Sequence, residues 1–296
     1  MRPADILGSY SAMMGLGLLF GLLLGGFPWL TKEISMASLA ILMTLSLSRV
    51  RLGETKSKEH GKDAIVALIL NYGMLTGVIL ILGRMFPEDL WWGWVLMAAA
   101  PSAISIVPFS TIFGGKTSKA LFSTAVNYLS ALALMPLITL ALIGSAVSVN
   151  DLIVSLLFLI VLPMVASRFV MRINIGKSVT TQAMNILFAI LIFAVAGANR
   201  NAFVSEPWIV IAVAAVSIIR TFGTGLGIEF SLRKLGVPKE TRVTQVLFSS
   251  YKNLGLTATL AIALFDPIVA VPATICIVFE VVWVIFLQRF YERVKE

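Results

Sequence analysis

Ten runs of about twenty apolar residues follow one another with little between them, and a chain so built has few folds open to it. The runs cover 8–28, 30–48, 64–84, 91–113, 119–145, 151–171, 179–198, 207–231, 241–264 and 267–288. About twenty apolar residues are what an α-helix needs to cross the hydrocarbon core of a bilayer. Inside that core every backbone N–H and C=O must be satisfied by the protein itself, which favours helices. The expectation is an all-α polytopic membrane protein of ten transmembrane helices, forming one membrane domain over 1–296 in contact with lipid.

Composition narrows the class further. The chain is 58% apolar and 13% charged, against about 45–50% and about 25% in soluble domains. One cysteine, Cys276, and one histidine, His60, exclude a disulfide framework and a Cys/His metal site. No metal and no cofactor is expected. The first apolar run is too long, and its basic flank too thin, for a cleaved leader, so it is read as the first spanning helix. The net charge of +8 would suggest nucleic acid in a soluble protein, but here it has a topological cause.

Assigned to alternate gaps between the ten runs, eighteen of the lysines and arginines fall on one side: Arg2, Arg49, Arg51, Lys56, Lys58, Lys62, Lys116, Lys119, Arg168, Arg172, Lys177, Arg233, Lys234, Lys239, Arg242, Arg289, Arg293 and Lys295. The other side holds three, Lys32, Arg84 and Arg200. Cytoplasmic loops carry the excess of positive charge, so both termini are expected in the cytoplasm, with the protein in the plasma (inner) membrane. Trp91, Trp92 and Trp94 fit an interfacial belt on the outer side.

A shift of the chain against itself by 151 residues lays the fourth run over the ninth without a gap. Pro87 falls on Pro238, Val95-Leu96 on Val246-Leu247, and Pro101-Ser102 on Lys252-Asn253. The shift spans five runs, an odd number, so the two halves, about 8–145 and about 151–288, have opposite orientations. Inverted repeats of this kind build secondary transporters, with substrate held at the midplane where discontinuous helices meet. The fourth run is interrupted by Pro101-Ser-Ala-Ile-Ser-Ile-Val-Pro108, whose prolines remove backbone donors and whose Ser102 and Ser105 can satisfy freed groups. The ninth has its own interruption at Tyr251, Lys252, Asn253 and Gly255. Free N–H groups at a half-helix N-terminus favour anions.

Three ionisable residues lie near mid-depth: Arg220, Lys252 and Glu280. A charge at the centre of a spanning helix costs roughly 2.5–3.5 kcal/mol on insertion scales, so each needs a partner or a wet cavity. Arg220 and Glu280 read as an ion pair, or as two members of a triad with Lys252. One carboxylate leaves a cation over, and Lys252 then either sheds its proton or attracts an anionic substrate. Glu229 reads as an interfacial residue beside Arg233, and Asn71 and Asn127 as polar contacts between helices.

Lys252-Asn253-Leu254-Gly255, followed by Asp266-Pro-Ile-Val-Ala-Val-Pro272, resembles the Gln-Asn-x-Gly motif and helix junction of the bile acid:sodium symporter superfamily. Ala100-Pro101 is similar to the start of that family's Pro-Gly-Gly-x-x-Ser-Asn motif. The resemblance covers nearly the whole chain. It implies ten helices as two inverted five-helix repeats, broken helices 4 and 9 that cross, and core and panel domains that move against each other. It also implies that Asn71 stands at a helix-three ion-site position. The family's sodium-site Glu, Gln and Ser-Asn fall here on Phe248, Lys252 and Ile106-Val107. A fixed ammonium repels sodium at short range, so Lys252 is expected to replace the bound cation.

The functional expectation is a secondary transporter carrying a small organic anion by alternating access, proton-coupled or uncoupled. A sodium-coupled symporter with altered sites is one alternative. An arsenite-efflux-type carrier is another, although Ser102 stands where such carriers have cysteine. A channel would need a continuous polar lining. An intramembrane enzyme would need clustered acid–base or metal-binding residues. No catalytic residue and no nucleic-acid partner is expected.

Overall fold

The protein, described from a computed structural model, is defined over residues 3–49, 57–173 and 175–293. Of the cations in the charge asymmetry, Arg2, Arg51, Lys56 and Lys295 lie outside the described residues. The chain is helical, with no strand among the described residues. In order the main helices are α1 (Tyr10–Leu24), α2 (Thr31–Ser48), α3 (His60–Gly83), α4 (Glu88–Ala99), α5 (Ile106–Ile112), α6 (Thr117–Ile143), α7 (Val149–Val170), α8 (Lys177–Ala198), α9 (Pro207–Lys234), α10 (Lys239–Ser250), α11 (Leu254–Leu264) and α12 (Val271–Arg293). Six of them, α3, α6, α7, α8, α9 and α12, are long and apolar enough to cross a membrane, and α1 is a shorter apolar helix. Their outward residues are apolar, among them Leu23, Ile65, Ile81, Leu137, Phe169 and Ile211, whereas Asn71, Arg220, Lys252 and many Ser and Thr are buried. Apolar outside and polar inside is the arrangement lipid demands.

Two interruptions divide what would otherwise be long helices. Ala100, forced to extended geometry (φ −64°, ψ 149°) by Pro101 behind it, ends α4. Tyr251 is extended at φ −112°, ψ 126° and ends α10. Asn253 then caps α11, its side-chain oxygen accepting the Leu256 N–H at 3.0 Å. Both interruptions are shorter than expected. Pro108 sits within the first turn of α5, where a missing N–H costs nothing, and Gly255 is already in α11. The two extended segments meet directly: the Asn253 N–H donates to the Pro101 carbonyl at 2.8 Å.

Three helices also contain a wide π turn, Ile69–Leu75 in α3, Leu157–Val161 in α7 and Ile219–Gly223 in α9. Such bulges often mark functional sites. The first carries Asn71 and the third Arg220.

Packing is densest within two sets of helices. α8 packs on α1 and α2, and α2 on α7; in the second set α3, α4 and α6 pack together, α9 packs on α10 and α12, and α12 packs on α4. A methyl group on Gly197 would collide with the Gly26 backbone, so α8 lies backbone to backbone against the end of α1. Gly93 permits α4 a similar approach to the turn Pro267–Ala270, where a methyl group would collide with the Val269 carbonyl.

Two readings of polar and aromatic residues are corrected. Trp91 and Trp94 are buried rather than interfacial, with Trp94 filling the space that Gly83 leaves and Arg84 lying 5.3 Å from the Trp91 ring. Glu229 is buried and accepts from Arg242 Nε at 3.0 Å and from the Tyr291 hydroxyl at 2.8 Å, tying α9 to α10 and α12.

Candidate functional site

Lys252 is fully buried, and its side chain runs from the α10–α11 interruption toward α3 and α4. Four oxygens share the three N–H donors of its Nζ: Asn71 Oδ1 at 3.1 Å, Thr76 Oγ1 at 3.1 Å, the Ala98 carbonyl at 2.9 Å and the Ala100 carbonyl at 2.9 Å. The Tyr72 ring lies 4.5 Å away, a cation–π distance. Each neighbour is placed by a local feature. The proline after Ala100 stops α4 from using its last carbonyls, leaving them free to face Nζ. The π turn of α3 carries Asn71, whose amide donates to the Phe248 and Tyr251 carbonyls at 3.2 and 3.1 Å and so turns its oxygen toward the lysine. Thr76 spends its own proton on the Ala98 or Asn71 carbonyl, at 2.7 and 3.1 Å. Three of the four oxygens around Nζ can only accept, and an ammonium supplies the donors they need.

Arg220 and Glu280 form the expected ion pair, Nη2 to Oε1 at 2.7 Å. The guanidinium is fully buried, and its Nε and Nη1 have no hydrogen-bond acceptor. Glu280 also accepts weakly from the Lys252 backbone N–H at 3.4 Å, and its own carbonyl accepts the Tyr251 hydroxyl at 3.1 Å. The carboxylate thus joins α9, α12 and the α10–α11 interruption. Lys252 contributes its backbone to this cluster, while its ammonium points elsewhere, so the three charges do not close into a triad.

Beside the crossing lies a cavity of about 300 Å³ between α1, α2 and α8 on one side and α5, α11 and α12 on the other. It runs from exposed Arg49, with Ser46, Thr181 and Asn185 beside it, to Tyr251, Asn253 and Glu280. Its walls are mostly apolar, including Met14, Leu39, Met43, Phe109, Phe188 and Ile277. Arg49 is held at the mouth by Nη2 contacts to Thr181 Oγ1 at 2.9 Å and the Lys177 carbonyl at 3.1 Å.

The other residues singled out in the sequence divide by position. Asn253, Tyr251, Gly255 and Ser105 line the cavity. Pro101 and Ser102 are buried at the crossing, and the Ser102 hydroxyl has no partner. Asn71 faces the ammonium. Asn127 bonds only within its own helix, donating to the Ser123 carbonyl at 3.0 Å. Sequence reasoning passed over Tyr128 of α6, whose hydroxyl accepts from Asn253 Nδ2 at 2.6 Å, and Thr76, which completes the oxygen cage. It also passed over Arg49, counted only as a loop charge. A tyrosine in an apolar helix and a threonine five residues after an asparagine carry no distinguishing pattern.

The sequence profile of the SBF-like CPA transporter family matches residues 32–295. No curated protein matches the chain.

Proposed function

The chain belongs to the SBF-like CPA transporter family, and from that premise we propose that it is a secondary carrier of a small organic anion. It works by alternating access without sodium. As a member of a transporter family with several membrane-capable helices it is an integral membrane protein. On this reading the ten spans are two inverted repeats, α1–α6 and α7–α12, with α4–α5 and α10–α11 as the broken members. Helices α3–α6 with α9–α12 form the moving core, and α1, α2, α7 and α8 form the panel. The observation that carries the reading is the cavity, which lies between these two sets and ends at the crossing. The charge asymmetry would open it to the cytoplasm, with both termini on that side of the plasma (inner) membrane.

The oxygen cage of Lys252 supports independence from sodium. Two carbonyls, an amide oxygen and a hydroxyl are the ligands a hard cation takes, and here the ammonium occupies them. Lys252 and Arg220 against Glu280 leave one positive charge, which favours an anion nearby. The Ser102 hydroxyl offers no thiolate, which weighs against an arsenite carrier.

The test is flux in proteoliposomes with a panel of organic anions under separate sodium and proton gradients, for wild type and Lys252→Gln. Wild-type flux should be indifferent to sodium. Strict sodium dependence would overturn the proposal. Topology is checked separately by a cysteine placed at either terminus, which a membrane-impermeant reagent should label only after the cell is opened.

A further inference from the structure

Lys252, on the α10–α11 interruption, and Glu280, which faces it from α12, differ in what can reach them. The lysine ammonium is enclosed by four oxygens and an aromatic ring, with no exposed surface. The Glu280 side chain retains 12% exposure and lines the cavity. Among the described residues lining the cavity the ionisable ones are Arg49, Tyr10, Tyr251, Lys252, whose ammonium is turned away, and Glu280, so Glu280 is the one carboxylate there that a proton from the mouth can reach. The groups facing it are Arg220 from α9, Tyr251 and the Lys252 backbone from the interruption, Tyr10 from α1 and Cys276 from α12.

We propose that Glu280 is the proton site that couples this carrier, and that it drives symport of a proton with the anion. The inference rests on the carrier reading above. With Glu280 ionised, Arg220 is neutralised within the pair, and the anion meets a carboxylate at the cavity end. When the carboxylate takes a proton from water, that charge disappears and Arg220 joins Lys252 as an uncompensated cation. Besides Glu280, Arg220 has only the weak acceptor sulfur of Cys276 beside it among the described residues, and its Nε and Nη1 have no acceptor. A protonated Glu280 therefore raises affinity for an anion, and by linkage a bound anion raises affinity for the proton. Both are then carried in one direction, and the proton returns to water on the far side when the anion leaves. The pair's bonds also span α9, α12 and the α10–α11 interruption, so protonation loosens contacts at the place where the core would flex.

The first measurement needs no substrate. Infrared difference spectra of the full-length protein in vesicles should show a carboxylic C=O band that grows as pH falls, is missing in Glu280→Gln and returns, shifted, in Glu280→Asp. No Glu280-dependent band at any pH across the protein's stable range would overturn the proposal. The second uses octanesulfonate and taurocholate, sulfonates that stay ionised and carry no proton of their own. An inward proton gradient of one unit should accumulate a transported sulfonate about tenfold in wild-type vesicles. Glu280→Gln should not accumulate it, and Glu280→Asp should restore part of the effect. Accumulation by Glu280→Gln under the same gradient would overturn the coupling while leaving the carrier reading intact. Wild-type vesicles that pass neither sulfonate would count against the carrier reading, while the infrared band decides the proton site by itself.

Discussion

Lys252 and Arg220 are both fully buried cations near the centre of the bundle, and the protein compensates them by opposite means. Around Lys252 it gathers neutral dipoles, two of them backbone carbonyls, and brings no carboxylate to the ammonium. Arg220 receives one carboxylate and the weak acceptor sulfur of Cys276, with two of its nitrogens lacking acceptors. Dipoles of the backbone cannot be titrated away, so the first arrangement is fixed for as long as the fold lasts. A carboxylate facing a cavity can lose its charge, so the second is conditional. The same cost of burying a cation is met once as architecture and once as something that can be switched.

The largest effect should come from emptying the cage. Lys252→Met leaves the Asn71 amide oxygen and the Ala100 carbonyl without their donor, at about 1–3 kcal/mol each. A sharp fall in yield and in thermal unfolding midpoint is expected. Lys252→Ala sharpens the comparison, since it frees space among the same oxygens. Sodium should raise the midpoint of that variant and leave wild type unmoved, because a ligand stabilises only the state that binds it.

Arg220→Met should cost about 3–5 kcal/mol, as expected when one member of a buried pair is removed. Arg220→Met combined with Glu280→Leu should regain most of that loss, since a buried pair can be replaced by apolar side chains. A double variant no better than the single ones would mean that Arg220 is held by more than Glu280. Asn253→Ala should cost less, about 1–2 kcal/mol, through loss of the α11 cap and of the bond to Tyr128. Smallest is Lys32→Ala. Lys32 Nζ donates to the Ala263 carbonyl at 2.6 Å near the far end of α11, a partly exposed counterpart of the Lys252 contacts. Removing a cation from a helix C-terminus there should cost about 0.3–1 kcal/mol.

Much of this comparison could be read before any coordinates. Charges inside apolar runs are conspicuous, so Arg220, Lys252 and Glu280 stand out, and the pairing of Arg220 with Glu280 followed from equal depth. The shift of 151 residues set Pro101 against Lys252, and a hydrogen bond joins Pro101 to Asn253 next to it. Hydropathy fixes depth but not rotation, because a helix that is apolar all round gives no face to orient it. That is why the direction of the Lys252 side chain, the burial of Trp91 and Trp94, and the Glu229–Arg242 pair were out of reach. The π turns were also hidden, since a wide turn differs from an α turn only in which carbonyl each N–H chooses.

The wide turn in α3 makes the length of this helix less critical there than in an unbroken α-helix. Ile69–Leu75 holds one residue more than α geometry would need. Losing one residue from it would leave an ordinary turn that spans the same arc, so the segments on either side would keep their facing. Thr76 and Asn71, five apart across the wide turn, would come to lie four apart on an α turn and still share a face. The same deletion outside the wide turn would instead rotate one flank of α3 by about 100° against the other.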